Sequence, residues 1–171
     1  VTTLQTFALL ALYLLDIRGE RGPLVKALTS TNMIDVLGSV YKVPVHETPV
    51  GFKYVAQVMM RENALIGGEE SGGFGFRGHI PERDGIFSAL LILDYMAKTG
   101  KRLSQLIDGL YSVVGPHHYQ RRDILFPKKQ SARLQNILIA GELKSLAGME
   151  VVDTDIVDGR RYKFDSGAWL V

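Results

Sequence analysis

The first two thirds of the chain predict an α/β layer with parallel strands, and the remainder predicts a smaller α+β segment. Three observations carry this. Short apolar runs at 24–28, 43–45 and 64–66 alternate with helical patterns at 30–40 and 52–62, the order that builds a parallel sheet. The third run opens a stretch, Ile66-Gly67-Gly68-Glu69-Glu70-Ser71-Gly72-Gly73-Phe74-Gly75-Phe76, with five glycines in eleven residues. At His117-His118-Tyr119-Gln120-Arg121-Arg122 the composition turns polar and basic, and hairpin turns follow it.

Taken in order, Thr2 or Thr3 caps a helix over 4–15, with Gly19 as its stop. Its unbroken apolar part, 7–15, is well short of the roughly 18 residues of a membrane span, and no basic segment precedes it. It reads as a buried core helix. A helix that opens at the first residues is what a piece cut from a longer chain would show. Gly22-Pro23 breaks the chain before strand 24–28, and Ser30 or Thr31 caps a helix carrying Met33, Ile34, Val36, Leu37 and Val40. Pro44, within Val43-Pro44-Val45, marks an edge strand or a strand start. Thr48-Pro49-Val50-Gly51 forms a turn ahead of helix 52–62. The three strands then end in polar loops on one edge, at Thr29-Ser30, at Glu47-Thr48 and at 69–71, and a site is expected there.

Asp84 caps a long helix with apolar positions Ile86, Phe87, Leu90, Leu91, Leu93 and Met96, ending near Gly100. Another helix, 103–114, stops at Gly115-Pro116. The boundary is set at 117–120, between an α/β domain (1–116) and an α+β segment (121–171). That segment offers a strand at 123–126, a helix at 130–143 and strands at 148–152, 161–164 and 168–171. Asp158-Gly159 and Asp165-Ser166-Gly167 supply hairpin turn chemistry. The sequence stops inside the last strand, so the second domain is expected to be incomplete.

Composition removes several function classes. The 171 residues carry 20 Lys+Arg against 18 Asp+Glu with no run of like charge, which gives no electrostatic case for nucleic acid or an anionic membrane. The absence of cysteine excludes disulfides and thiolate metal sites and fits a cytoplasmic protein. Gly73-x-Gly75-x-x-Gly78 matches a dinucleotide pattern, but the helix that such a motif must open starts too late, after Pro81. His117 and His118 are adjacent and point opposite ways in an extended chain, so they read as linker. Asp153 and Asp155 read as surface charges near a hairpin, with a shared cation as the alternative. Ser71 has no motif-linked base; His79 is merely near it in sequence.

The glycine-rich stretch is the most informative. Glu69 and Ser71, two apart, project to one side of an extended backbone and offer carboxylate acceptors beside a hydroxyl. Adjacent hydroxyls of a polyol such as a sugar need that set. Glycine there is expected to supply positive φ and to let a ligand approach the backbone. The competing reading is a glycine-rich turn with solvated carboxylates.

Gly68-Glu69-Glu70-Ser71-Gly72-Gly73, followed by His79-Ile80-x-Glu82-Arg83-Asp84-Gly85 at a helix start, resembles the α-D-phosphohexomutases, the phosphoglucomutase/phosphomannomutase family. Thr48-Pro49-Val50-Gly51-Phe52-Lys53 and Val25-Lys26 with Thr29 are similar to that family's preceding turn and first strand. The resemblance implies a mixed, mostly parallel sheet with helices on both faces, the third of four domains, then the start of the fourth. It implies that Glu69 and Ser71 bind the O3 and O4 hydroxyls of a hexose phosphate, with Gly68 in the same loop. Gly51 and Val50 would line the sugar through backbone, Val50 standing where many relatives have Thr. Arg83 would hold a phosphate, with Lys26 and Lys53 as further candidates that read equally as solvated lysines.

The phosphoserine, Mg²⁺ and C-terminal phosphate loops of such enzymes are missing from these residues, so no catalytic residue is assigned. Mg²⁺ and hexose 1,6-bisphosphate are expected to belong to a full-length parent, and the isolated piece to be inactive. The Gly-Glu-Glu-Ser-Gly-Gly form leans toward glucose over glucosamine phosphate. The rival classes are a stand-alone, non-catalytic sugar-phosphate-binding module and a purely structural domain.

Overall fold

The computed structural model describes every residue except Ile124, Phe126 and Glu142, and excludes the side chains of Lys128, Lys129, Leu134, Leu138, Ile139 and Ala140. The chain divides into two compact units, Val1–His118 and Tyr119–Val171.

Helix α1, Thr3–Leu12, starts at a capping box in which the Thr2 hydroxyl accepts the Gln5 N–H at 3.2 Å and Gln5 Oε1 accepts the Thr2 N–H at 2.8 Å. Its end widens to π-helical bonding over Tyr13–Ile17, where the Arg18 N–H reaches the Tyr13 carbonyl. Residues 7–15 are buried on all sides, because α1 lies between the sheet and other helices. No described helix is long and apolar enough to cross a membrane.

The remaining elements of this unit are β1 (Leu24–Ala27), α2 (Met33–Tyr41), β2 (Val45–Thr48), α3 (Phe52–Glu62), β3 (Ile66–Gly68), β4 (Phe74–Phe76), α4 (Gly85–Thr99) and α5 (Leu103–Val114). The sheet runs β2-β1-β3-β4, parallel except for the antiparallel β3–β4 pair. It is therefore mixed and mostly parallel. Side chains along β1 alternate: Leu24 joins the core under α1, α2, α4 and α5, while Val25 and Ala27 join the core under α3. Phe52, Val55, Ala56 and Met59 form the buried stripe of α3 at i, i+3, i+4, i+7. Asn63, in the left-handed region at φ 49°, ends that helix.

Several expectations are corrected. The third strand lies at Ile66–Gly68, two residues later than expected, and Phe74–Phe76 is a strand where the sequence read as loop. Thr31 rather than Ser30 supports the start of α2, its hydroxyl accepting the Met33 N–H at 3.1 Å. The second strand runs Val45–Thr48 rather than 43–45, while Pro44 does stand at the start of an edge strand as expected, and its carbonyl accepts the Leu24 N–H. In α4 only Ser88, Leu91 and Tyr95 are buried. Ile86, Leu90 and Leu93, apolar positions of that helix, are exposed because a single face of α4 packs on α1.

The second unit holds α6 (Lys128–Ala140) and the strands β5 (Ser145–Leu146), β6 (Met149–Asp155), β7 (Arg161–Phe164) and β8 (Trp169–Leu170), in one antiparallel sheet ordered β5-β6-β7-β8. The strand expected at 123–126 falls partly outside the described residues. Asp153 and Asp155 face cross-strand cations: Lys163 Nζ lies 2.9 Å from Asp153, and Arg161 Nη2 lies 2.6 Å from Asp155.

Candidate functional site

Because β1, β2 and β3 run parallel, their C-terminal ends share one edge, with Ala27 level with Thr48 and Lys26 level with Gly68. Three loops meet there: the one after β1, the turn between β2 and α3, and the 69–73 turn joining β3 to β4.

That last turn is not extended. The Gly72 N–H bonds the Glu69 carbonyl at 3.1 Å, and the Glu69 N–H bonds the Gly73 carbonyl at 3.1 Å, closing a hairpin tip. Glu69 and Ser71 therefore do not share one side of a strand. Glu69 is folded inward and 5% exposed, whereas Ser71 stands exposed at the tip.

The glycines also act differently from expectation. Gly72 alone of this stretch has positive φ, at 94°. Gly67 and Gly68 are strand residues that give room to both faces. A Cβ on Gly67 would lie 2.4 Å from Met59 Sδ, and one on Gly68 would lie 2.9 Å from the Phe7 ring. A Cβ on Gly73 would lie 2.2 Å from Arg83 Cδ, so this glycine makes space for the arginine.

Glu69 is the buried centre. Its Oε1 accepts the Gly51 N–H at 3.0 Å, and its Oε2 lies 4.0 Å from Arg83 Nη1. Gly51 sits at the head of α3 with φ 126°, a conformation that only glycine adopts easily, so the carboxylate also caps the positive end of that helix. A carboxylate has about four lone-pair directions; Gly51 takes one. Arg83 lies over the Phe52 ring at 5.6 Å and bonds Glu82 through Nε at 3.2 Å, with its head half-exposed. The site thus pairs a buried, fixed anion with a half-exposed cation.

Of the residues singled out from sequence, Gly68, Glu69, Ser71, Val50, Gly51 and Arg83 come together at this edge. Lys53, in the first turn of α3, is exposed, with its ammonium 4.7 Å from the centre of the Tyr54 ring. Lys26 is not a solvated lysine. It is 3% exposed and paired with Asp35, and with Glu47 at 3.5 Å, so burial is compensated by two carboxylates.

Sequence reasoning passed over two participants. Glu70 accepts from the Thr29 hydroxyl at 2.7 Å, and its carbonyl accepts from the Thr3 hydroxyl at 2.6 Å. Those partners lie 41 and 67 residues away, beyond any local pattern. His79 is engaged by Asp84, Nε2 to Oδ2 at 2.8 Å, and stacks on Phe87. The Phe87 N–H and His79 together hold the Asp84 carboxyl below its ordinary range, as befits a helix cap. Among the described residues no group of three or more His, Asp or Glu is placed to hold a metal ion.

Residues 4–114 match the model of the phosphoglucomutase/phosphomannomutase alpha/beta/alpha domain III. A phosphoglucomutase/phosphomannomutase of Thermococcus kodakarensis is 34% identical over 167 residues, covering 98% of this chain and 34% of that protein. A phosphoglucosamine mutase of Rubrobacter xylanophilus is 40% identical over 85 residues, covering 50% of this chain and 19% of its own length. The solved structure of a Thermus thermophilus protein described as a phosphomannomutase superposes with a TM-score of 0.79 at 34% identity, over 98% of this chain and 34% of that one. The chain spans about a third or less of the length of these relatives.

Proposed function

The chain belongs to the phosphoglucomutase/phosphomannomutase family, and from that premise we propose that it is the sugar-hydroxyl-binding part of a phosphohexomutase. In the full-length protein, hexose 1-phosphate and hexose 6-phosphate interconvert through a bisphosphorylated intermediate. That intermediate must turn over so that either end meets the phosphoryl carrier. The protein therefore has to hold the sugar by groups common to both orientations, and the O3 and O4 hydroxyls are such groups. One observation carries the reading: the Glu69 carboxylate is buried where three loops meet, anchored through one oxygen by the Gly51 N–H, with its other oxygen toward Arg83.

An anchored acceptor loses little freedom when a hydroxyl donates to it, so more of the hydrogen bond survives as affinity. Ser71 at the exposed tip supplies a second partner for a neighbouring hydroxyl. Gly51 and Val50 line the sugar through backbone, and Arg83 offers a planar cation to a phosphate. Lys53 and Lys26 contribute less directly, Lys26 because its charge is already paired. The phosphoserine, Mg²⁺ and the clamp on the distal phosphate belong to other parts of the full-length cytoplasmic enzyme. The chain by itself does not turn over. The Gly-Glu-Glu-Ser-Gly-Gly loop favours glucose phosphate.

The test is Glu69→Gln in the full-length protein. Glutamine keeps an oxygen for the Gly51 N–H but removes the charged acceptor, and hydrogen bonds to charged groups contribute about 1.5–3 kcal/mol. A fall in kcat/KM of about 10- to 100-fold is expected with glucose 1-phosphate. The same coupled assay, run on the 171-residue chain with Mg²⁺ and glucose 1,6-bisphosphate, stays at background. Unchanged kcat/KM for Glu69→Gln, or turnover by the isolated chain, sinks the proposal.

A further inference from the structure

We infer that Glu70 and Thr29 form a positioning pair that sets the orientation of the sugar-binding turn; the inference rests on the proposed role of Glu69. Two consecutive carboxylates at the hairpin tip go to different loops. Glu69 reaches the β2–α3 turn through the Gly51 N–H at 3.0 Å, and Glu70 reaches the loop after β1 through the Thr29 hydroxyl at 2.7 Å. The two side chains reach different loops, so the turn is tethered at two points. A third tether fixes its backbone: the Thr3 hydroxyl at the head of α1 donates to the Glu70 carbonyl at 2.6 Å. Beside it, Gly72 lies so close to Thr3 that an added Cβ would come within 2.8 Å of Cγ2.

The geometry has a direct consequence. The Thr29–Glu70 bond adds a side-chain hold on the tip beside the Glu69–Gly51 bond and the Thr3 contact to the Glu70 carbonyl, and its loss is expected to loosen the turn that carries Glu69 and Ser71. Glu70 need not touch substrate. It helps hold the turn that carries Glu69 and Ser71, in the manner in which outer groups orient the groups that bind. Glu70 is thus no inert neighbour of Glu69.

The experiment is a double-mutant cycle in the full-length protein with glucose 1-phosphate as substrate. Thr29→Val and Glu70→Ala are each expected to lower kcat/KM by about 10-fold. The double variant is expected to be no worse than either single one, and Thr29→Ser, which restores the hydroxyl, to recover activity to within about 2-fold. Glu69→Gln in the same assay separates the two ideas. If Glu69→Gln is silent, the sugar-binding reading falls and this role with it. If Glu69→Gln is costly while the pair is silent, additive or not rescued by serine, only the positioning role falls. A second readout needs no turnover: in the 171-residue chain, Thr29→Val is expected to speed hydrogen exchange at the Gly72 N–H about 10-fold, with α1 unchanged. Unaltered exchange at Gly72 overturns the tether.

Discussion

The two units of this chain hold themselves together in different ways. In Val1–His118 a mixed sheet is filled from both faces, and Phe7, Leu9, Leu10, Leu15, Leu24, Ile34 and Leu37 have essentially no exposed surface. In Tyr119–Val171 the buried residues among those described are Arg161, Tyr162 and Phe164. There the strands are joined by ladder hydrogen bonds and by the cross-strand charges Asp153–Lys163 and Asp155–Arg161. Apolar burial scales with area, whereas an exposed ion pair such as Asp153–Lys163 contributes little, and for Asp155–Arg161 the cost of burying the charges offsets much of their attraction. The difference explains where the candidate site stands. A turn that must present acceptors at fixed positions needs a rigid base, and the 69–73 turn has the well-filled unit beneath it.

The most damaging test of this comparison is Phe7→Ala. Phe7 stacks on Phe74 with ring centres 5.4 Å apart and fills the space that Gly68 leaves. Its removal is expected to cost about 3–5 kcal/mol. Hydrogen exchange resolved by unit should show lost protection throughout the first unit and none lost in the second. An equal loss in both would break the comparison.

A pair of glycine substitutions sharpens it further. Gly67→Ala has to push Met59 and Val55 of α3 away from β3, which is expected to cost about 1–3 kcal/mol by overpacking. Gly167, at φ 81° in a hairpin turn, meets nothing within 4 Å, so Gly167→Ala is expected to cost about 1 kcal/mol of backbone strain alone. Asparagine tolerates that conformation, so Gly167→Asn is expected to recover stability, while Gly67→Asn worsens matters. Urea denaturation of the four variants decides it. Rescue of Gly67 by asparagine would mean that conformation, not space, governs that strand.

The smallest effect expected is one of charge. Hydrogen bonding to Lys163 holds the Asp153 carboxyl low. Burial pushes Asp155 up, but the hydrogen bond and charge of Arg161 outweigh it, and that carboxyl too lies below its ordinary range. A depressed carboxylate stabilises the fold above its unfolded pKa, about 4, and that contribution is lost as pH falls through the folded value. Lys163 is raised by Asp153, so its contribution is present at neutral pH and is lost as pH rises above its unfolded value, about 10.4. From pH 6 toward pH 3 the second unit is expected to lose exchange protection before the first. The first unit also carries depressed carboxylates, at Glu62, Glu82, Asp84 and Asp94, but it has the larger apolar core to offset their protonation. Salt at pH 6 should weaken the second unit slightly and the first hardly at all. Simultaneous loss would place the stability of both units in the same kind of contact.

Much of the architecture was legible without coordinates. The i, i+3, i+4, i+7 spacing of Phe52, Val55, Ala56 and Met59 specifies a helix with one apolar face, and Thr2 and Asp84 have the chemistry that satisfies free N–H groups at a helix start. Parallel strands separated by helices require that the loops after β1, β2 and β3 share an edge, so the place of the site followed from element order. The motif Gly68-Glu69-Glu70-Ser71-Gly72-Gly73 was sufficient to point to the family. These are local or repeating signals, and a chain expresses them wherever it is.

What only the tertiary structure decided has the opposite character. Phe74–Phe76 is three residues long, too short for a period-two pattern to show against its glycine neighbours, so β4 was invisible. The glycines of β3 looked like loop flexibility and proved to be space for Met59 and Phe7. Alternation predicted that Glu69 and Ser71 would share a side, but a turn closed by the Gly72 N–H buries Glu69 against Gly51 and leaves Ser71 outside. The Thr29 and Thr3 contacts to Glu70 span 41 and 67 residues. Hydrogen bonds between groups so far apart in the chain leave no periodic trace, because they exist only after the sheet and α1 have brought those groups together.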